Sequence, residues 1–265
     1  MTCEPVECNS HPRRAGVLRG SLCCTDADPT PESLPAMTSS PPRALLFGAS
    51  GQIGRRVLAR LLGRGWQVVA LCRGEQPLAA AGVEWRQGAL PDTAGSGEGF
   101  DAIFSCGPLD LFSLWYENHA TGQARVVAFG STSVHVKHAS SDPAERELAG
   151  RLQAAEARIA AAVAARGAAA TLLRPTLVYG AGSDRNLSRI AALARKYGLF
   201  LLPHDARGLR QPVHVDDLAD AALAALERPG AGFASYDLPG GETLAYREMV
   251  GRADDAKRMG NLIKS

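Results

Sequence analysis

The sequence predicts an α/β protein built on a doubly wound parallel sheet, and three observations carry that reading. Short β-rich runs alternate with amphipathic helical runs from residue 43 onward, as parallel strands joined by helical crossovers require. A glycine loop, Gly48-Ala49-Ser50-Gly51-Gln52-Ile53-Gly54, joins the first strand to the first helix. Finally, 46% hydrophobic and 21% charged residues over 265 positions supply enough apolar surface for one sizeable core.

Taken in order, residues 1–42 show no helical or strand period and carry prolines at Pro5, Pro12, Pro29, Pro31, Pro35, Pro41 and Pro42. Such a stretch buries too little apolar surface to offset its ordering entropy, so a disordered tail is expected. Met37 lies just before the first strand and raises an upstream start assignment for the tail. Ala44 to Phe47 then reads as a strand and Gln52 to Leu62 as a helix with Ile53, Val57, Leu58, Leu61 and Leu62 on one face. Gln67 to Leu71 completes a βαβ opening. Further strands are expected at Val83 to Trp85, Asp101 to Ser105, Arg125 to Phe129, Thr171 to Arg174 and Tyr236 to Leu238.

Between them, Asp142 as N-cap and Pro143 at the first position open a helix with Leu148, Leu152, Ala155, Ile159 and Val163 inward. A last helix is expected over Val215 to Glu227, with Asp216 as N-cap and Leu218, Ala222 and Leu226 inward. Residues 43–250 thus form the folded domain, and 251–265 a polar C-terminal tail.

The formal charge of +2 is too balanced for a nucleic-acid or membrane surface. No run approaches the roughly 20 apolar residues of a membrane span, and no signal-like segment opens the chain, so a cytoplasmic protein is expected. Cys3, Cys8, Cys23 and Cys24 lack zinc-like spacing, and with Cys72 and Cys106 they read as thiols in a reducing compartment. No metal is expected. The expected partner is a small-molecule substrate, and self-association into a homodimer is left open.

The glycine loop carries the first chemistry. After a strand and before a helix, Gly48 permits the tight turn, Gly51 lets the backbone approach a pyrophosphate, and Gly54 lets helix and strand pack closely. Ser50, Gln52 and Ile53 complete a dinucleotide cradle. The second strand ends in Leu71-Cys72-Arg73, where an acid would accept the ribose 2′-hydroxyl of NAD. Arg73 instead suits a 2′-phosphate, with Arg55 adding positive charge, so NADP is favoured. Glu75 keeps NAD open.

With Phe129-Gly130-Ser131-Thr132-Ser133-Val134, Leu173-Arg174-Pro175-Thr176-Leu177-Val178-Tyr179-Gly180 and Pro212-Val213-His214-Val215-Asp216-Asp217-Leu218-Ala219 added to the loop, the chain resembles the extended or atypical short-chain dehydrogenase/reductases of the NAD-dependent epimerase/dehydratase type. The resemblance runs from Arg43 to about Val250 and implies a Rossmann fold with a small C-terminal substrate lobe. It also implies that a hydroxyl at the end of the fifth strand contacts the reacting carbonyl or hydroxyl, with Thr132 first and Ser133 second. The backbone of Arg174 and Pro175 would run beside the nicotinamide.

One element of the family is missing. Aligning Ala155-Glu156 with the family's Ala-Glu puts Leu148 and Leu152 at the tyrosine and lysine of its Tyr-x-x-x-Lys, and leucine transfers no proton. Tyr179, the extended polar segment with His135, Lys137 and His138, and Arg151 beside the lost lysine are the candidate substitutes. His214 and Asp216 read as organisers of the substrate lobe, and Arg210-Gln211-Pro212 as a cationic segment for an anionic substrate. The chain continues only sixteen residues past Met249, which implies a reduced substrate grip. The implied function is an NAD(P)-dependent oxidoreductase or epimerase acting on a small hydroxyl, carbonyl or sugar-type substrate. The alternatives are a non-catalytic NADP-binding sensor or assembly protein, and a scaffold binding no nucleotide.

Overall fold

Four of the five residues of β1 (Arg43–Phe47) are buried, as befits a strand with neighbours on both sides and helices on both faces. The computed structural model describes residues 40–74, 80–93, 99–120, 122–180, 208–245 and 248–249. Residues 1–39 of the tail expected over 1–42, the tail expected over 251–265, the four early cysteines and Glu75 lie outside these.

A helix, α1 (Gln52–Gly63), leads from β1 to β2 (Gln67–Cys72), which pairs parallel with β1. Then follow β3 (Val83–Gln87), β4 (Ala102–Ser105), α2 (Leu109–His119), β5 (Arg125–Phe129), the single turn α3 (Ser133–Val136), α4 (Pro143–Arg166) and β6 (Ala169–Pro175). The chain continues through β7 (Leu177–Tyr179), β8 (Leu209–Arg210), β9 (Pro212–His214), α5 (Val215–Leu226), β10 (Gly232–Leu238) and β11 (Leu244–Ala245). Seven strands form one parallel sheet in the order β10-β6-β5-β4-β1-β2-β3. The order reverses at β1, so a crevice opens beyond the carboxyl ends of β1 and β4, where open α/β sheets bind ligands. The pairs β7–β9 and β8–β11 stand apart from this sheet as two short ribbons.

On one face α1 and α5 bury Val57, Leu61, Leu218 and Leu223 against Leu46, Phe104 and Val127. On the other, α2 and α4 bury Phe112, Trp115, Leu152 and Ile159 against Leu45, Phe47 and Ile103. The rings of Phe47 and Trp115 lie 4.5 Å apart there. A ladder of ion pairs also joins α1 to α5: Arg56 to Asp216 at 3.5 Å, Arg60 to Asp216 and Asp220, and Arg64 to Glu227 at 2.6 Å.

The expected strands and helices of the sheet are present, with three differences. The α2 helix was not foreseen. Leu109, Leu111, Phe112, Leu114, Trp115 and Tyr116 make it apolar on most of its circumference, so it lacks the one-sided period by which helices are read. The segment with His135 is not extended, since Ser133–Val136 is helical and Lys137 N donates to Ser133 O. Asp216 is not the N-cap of the last helix. His214 is, its Nδ1 accepting from Asp216 N at 3.2 Å, because β9 runs up to His214 and the Asp216 side chain is drawn to α1. Among the described residues no helix is long and apolar enough to cross a membrane.

Candidate functional site

The glycine loop folds as its spacing requires. Gly48 adopts φ +73°, and a Cβ there would lie 2.8 Å from the Cys106 carbonyl carbon, so two strand ends meet because this residue has no side chain. Gly51 N donates to Gly48 O at 2.9 Å, and Arg55 N to Gly51 O at 3.0 Å starts α1. No side chain caps this helix and no acid sits in its first turn. Its N–H groups and positive dipole end are therefore suited to an anion. A Cβ on Gly54 would fall on the Gly48 carbonyl oxygen, which explains the third glycine. Ile53 packs partly buried against the core on the α1 face, and Gln52 Oε1 is buried with no hydrogen-bond partner.

A cleft of about 410 Å³ opens above the loop, lined by Gly48, Ser50, Gly51 and Arg73. Leu71, Leu90 and Leu111 add apolar wall to it. Cys106 also lines it, and enclosure pushes this thiol up to about 12. Gly48, Ser50, Gly51 and Arg73 thus line one cleft, whereas Gln52, Ile53 and Gly54 are not on its wall. The sequence reading missed Leu90, Thr93, Cys106 and Leu111, although all follow the carboxyl ends of β3 and β4, and that position is the available signal. A bare glycine cradle, an uncapped helix start, an orphaned amide oxygen and a basic side chain at the far strand end fit a dinucleotide. Among the described residues no group of three His, Cys, Asp or Glu is placed to hold a metal.

A second cluster forms where β5 and β6 end. Gly130 N donates to Leu173 O at 2.8 Å and Thr132 N to Pro175 O at 3.3 Å, which sets Thr132 against Pro175. Ser133 N donates to Ser131 Oγ at 3.2 Å. Tyr179 stands farther on, at the end of β7, its ring edge-on to His214 at 5.1 Å. The Arg174 side chain turns away to Glu156 on α4, with Nε and Nη2 donating at 2.9 and 2.6 Å, while Nη1 reaches Asp237 at 3.3 Å. These bonds, chiefly those to Glu156, raise the Arg174 pKa. Arg210 lies on the β8–β11 ribbon and Gln211 Nε2 donates to Thr243 at 3.0 Å. Leu152 is buried, and Leu148 packs partly buried against the same core.

The Glu156–Arg174 pair supports a prediction of its own. Both side chains are nearly enclosed, at 12% and 13% exposure, and removing one partner of such a pair strands the other charge. Glu156→Leu is expected to cost about 2 to 4 kcal/mol, less than the full penalty because Asp237 remains. Thermal denaturation measures it, and an unchanged melting temperature would contradict it.

Residues 106–238 match the NAD dependent epimerase/dehydratase family. The chain belongs to that family. A curated relative, the 2-alkyl-3-oxoalkanoate reductase of Stenotrophomonas maltophilia (strain K279a), is 28% identical over 244 residues, which span 78% of this chain and 73% of the relative. Among solved structures, MoeE5 in complex with UDP-glucose and NAD is similar at a TM-score of 0.65 and 22% identity, covering 81% of each chain. The UDP-glucuronic acid 4-epimerase of Bacillus cereus in complex with NAD gives a TM-score of 0.65 at 13% identity, covering 81% of this chain and 84% of that one. At such identities the likeness is one of fold. This epimerase/dehydratase family member has a glycine loop before α1, hydroxyls after β5, and Leu148 and Leu152 on α4.

Proposed function

We propose that this chain is an NADP-dependent oxidoreductase acting on a small molecule at a hydroxyl-bearing or carbonyl carbon. The observation that carries the proposal is the glycine loop at the reversal of strand order, facing a cleft with Arg73 on its wall. Gly48, Ser50, Gly51, Gln52, Ile53, Gly54 and Arg73 would hold the dinucleotide, with the backbone of Arg174 and Pro175 beside its reactive end. When bound, the nicotinamide supplies or accepts hydride. Thr132 and Ser133 would hydrogen-bond the substrate oxygen at the carboxyl edge. Tyr179 belongs to the substrate side of the site.

The relatives name two substrate chemistries to test, 2-alkyl-3-oxo acids and UDP-sugars. Purified protein is titrated with each dinucleotide by nicotinamide fluorescence, then assayed for NADPH oxidation with 2-methyl-3-oxobutanoate and for conversion of UDP-glucose. Binding without turnover favours the second reading, an NADP-dependent sensor or assembly protein, for which Leu148 and Leu152 are the supporting observation.

Arg73 sets the choice of dinucleotide in this proposal. A guanidinium–phosphate bond contributes about 1.5 to 3 kcal/mol, so NADP(H) is expected to bind roughly ten- to a hundredfold more tightly than NAD(H). Arg73→Asp should abolish or reverse that ratio by repelling the 2′-phosphate and offering an acceptor to a free 2′-hydroxyl. Equal affinities in both proteins would remove Arg73 from the site.

A further inference from the structure

The ionisable side chains around the ends of β5 and β6 differ in what already holds them. Lys137 is bound to Glu145 at 2.9 Å. Arg151 faces Asp110 at 3.7 Å and Glu147 at 4.0 Å. Tyr179 lies against His214 in the β7–β9 ribbon, and His138 is exposed with no partner among the described residues. His135 has a different setting. It sits three residues after Thr132 in the turn that closes β5, with its N–H donating to Thr132 O at 3.0 Å. Its Nε2 lies 3.3 Å from Asp237 Oδ1 at the end of β10. Asp237 is itself fixed by Arg174 Nη1, whose other donors are committed to Glu156. A carboxylate on Nε2 keeps the proton there and leaves Nδ1 as the working nitrogen.

We propose that His135, oriented by Asp237, is the acid–base residue of this site, exchanging a proton with the oxygen of a small carbonyl or hydroxyl substrate held by Thr132. The inference rests on the oxidoreductase reading above and supplies the proton transfer that Leu148 and Leu152 cannot. In reduction, the carbonyl carbon receives a hydride, two electrons and one hydrogen, from bound NADPH. The C=O π pair moves to oxygen and takes the proton from Nδ1, leaving the alcohol, NADP⁺ and a neutral imidazole. Oxidation reverses each transfer. Half exposed at 50%, the ring regains its proton from solvent. The charges facing it are Asp237 from β10 and, behind that carboxylate, Arg174 from β6, while Lys137 on its own segment is neutralised by Glu145.

The test compares wild type with His135→Gln, Asp237→Asn and the control His138→Gln, using NADPH with 2-methyl-3-oxobutanoate and, separately, UDP-glucose. His135→Gln is expected to lower kcat by about 10² to 10⁴ while NADPH affinity and melting temperature hold. Asp237→Asn should lower kcat with little change in KM, because the ring loses the contact that orients it. Proton–nitrogen NMR of the His135 ring should find the proton held on Nε2 in wild type and a mixture of tautomers in Asp237→Asn. Turnover that survives His135→Gln, or a His135 tautomer unchanged by Asp237→Asn, overturns the assignment alone. A wild type that binds NADPH and converts neither probe rejects the oxidoreductase reading and the assignment with it.

Discussion

Gly54→Ala is expected to lower stability by about 3 kcal/mol or more and to weaken dinucleotide binding sharply, although it adds a single methyl group. The added carbon would meet the Gly48 carbonyl oxygen, with the Gly48 carbonyl carbon at 2.8 Å and Ala49 Cα at 2.9 Å. All three are backbone atoms, so no rotamer change relieves the contact. Relief requires α1 to move off β1, and that motion displaces the helix start that faces the cleft. For a domain of this size each kcal/mol shifts melting by roughly 2 to 4 °C, so a fall of about 6 °C or more is expected. Gly150→Ala is the matched control. Gly150 lies within α4 and a Cβ there meets nothing within 4 Å, so it should stabilise by about 0.5 to 1 kcal/mol. If both variants melt alike, the close helix–strand approach is not what Gly54 provides.

Restoring a tyrosine–lysine pair through Leu148→Tyr with Leu152→Lys is expected to damage the fold rather than revive a relay. Leu152 is 9% exposed and belongs to the core shared with Phe47, Phe112 and Trp115. Lysine there loses the leucine's packing and places an ammonium in an apolar core, costing about 3 to 5 kcal/mol. Leu148→Tyr alone should be tolerated, because Leu148 is only partly buried and a phenol keeps its hydroxyl at the edge of the core. Melting curves and NADPH oxidation for the two single variants and the double distinguish the outcomes. A double variant that melts like wild type and turns over at least tenfold faster would show that a working relay needs only those two side chains.

The β1–α1–β2 opening was legible because its apolar runs and glycines are contiguous, each local choice agreeing with the fold. The α4 helix was legible for a similar reason, its Asp142 cap bonding Ala144 N as the Asp-Pro signal implied. By contrast, α2 hides its period under Leu111 and Leu114, which lie off the buried face of Leu109, Phe112, Trp115 and Tyr116, and α3 is one turn long. The cap of α5 was misplaced by two residues because Asp216 has competing partners, Arg56 and Arg60, that only the packing of α1 beside α5 supplies. The candidate site divides in the same way. Its glycines are local, whereas the walls contributed by Leu90, Thr93 and Leu111, and the meeting of His135 with Asp237, depend on strand order.

The two cysteines on the cleft bear on how the site withstands oxidants. Enclosure raises the Cys106 thiol to about 12, which disfavours the thiolate that peroxide or a disulfide attacks. Cys72 is buried, its Sγ directed to Gly74 O at 3.6 Å. They end β2 and follow β4, with β1 between, and two strand spacings come to about 9 to 10 Å, beyond the roughly 7 Å that a disulfide can bridge. Oxidation therefore cannot join these two thiols to each other across the crevice. Access to the cleft beyond the ends of β1 and β4 is thus independent of any bond between this pair.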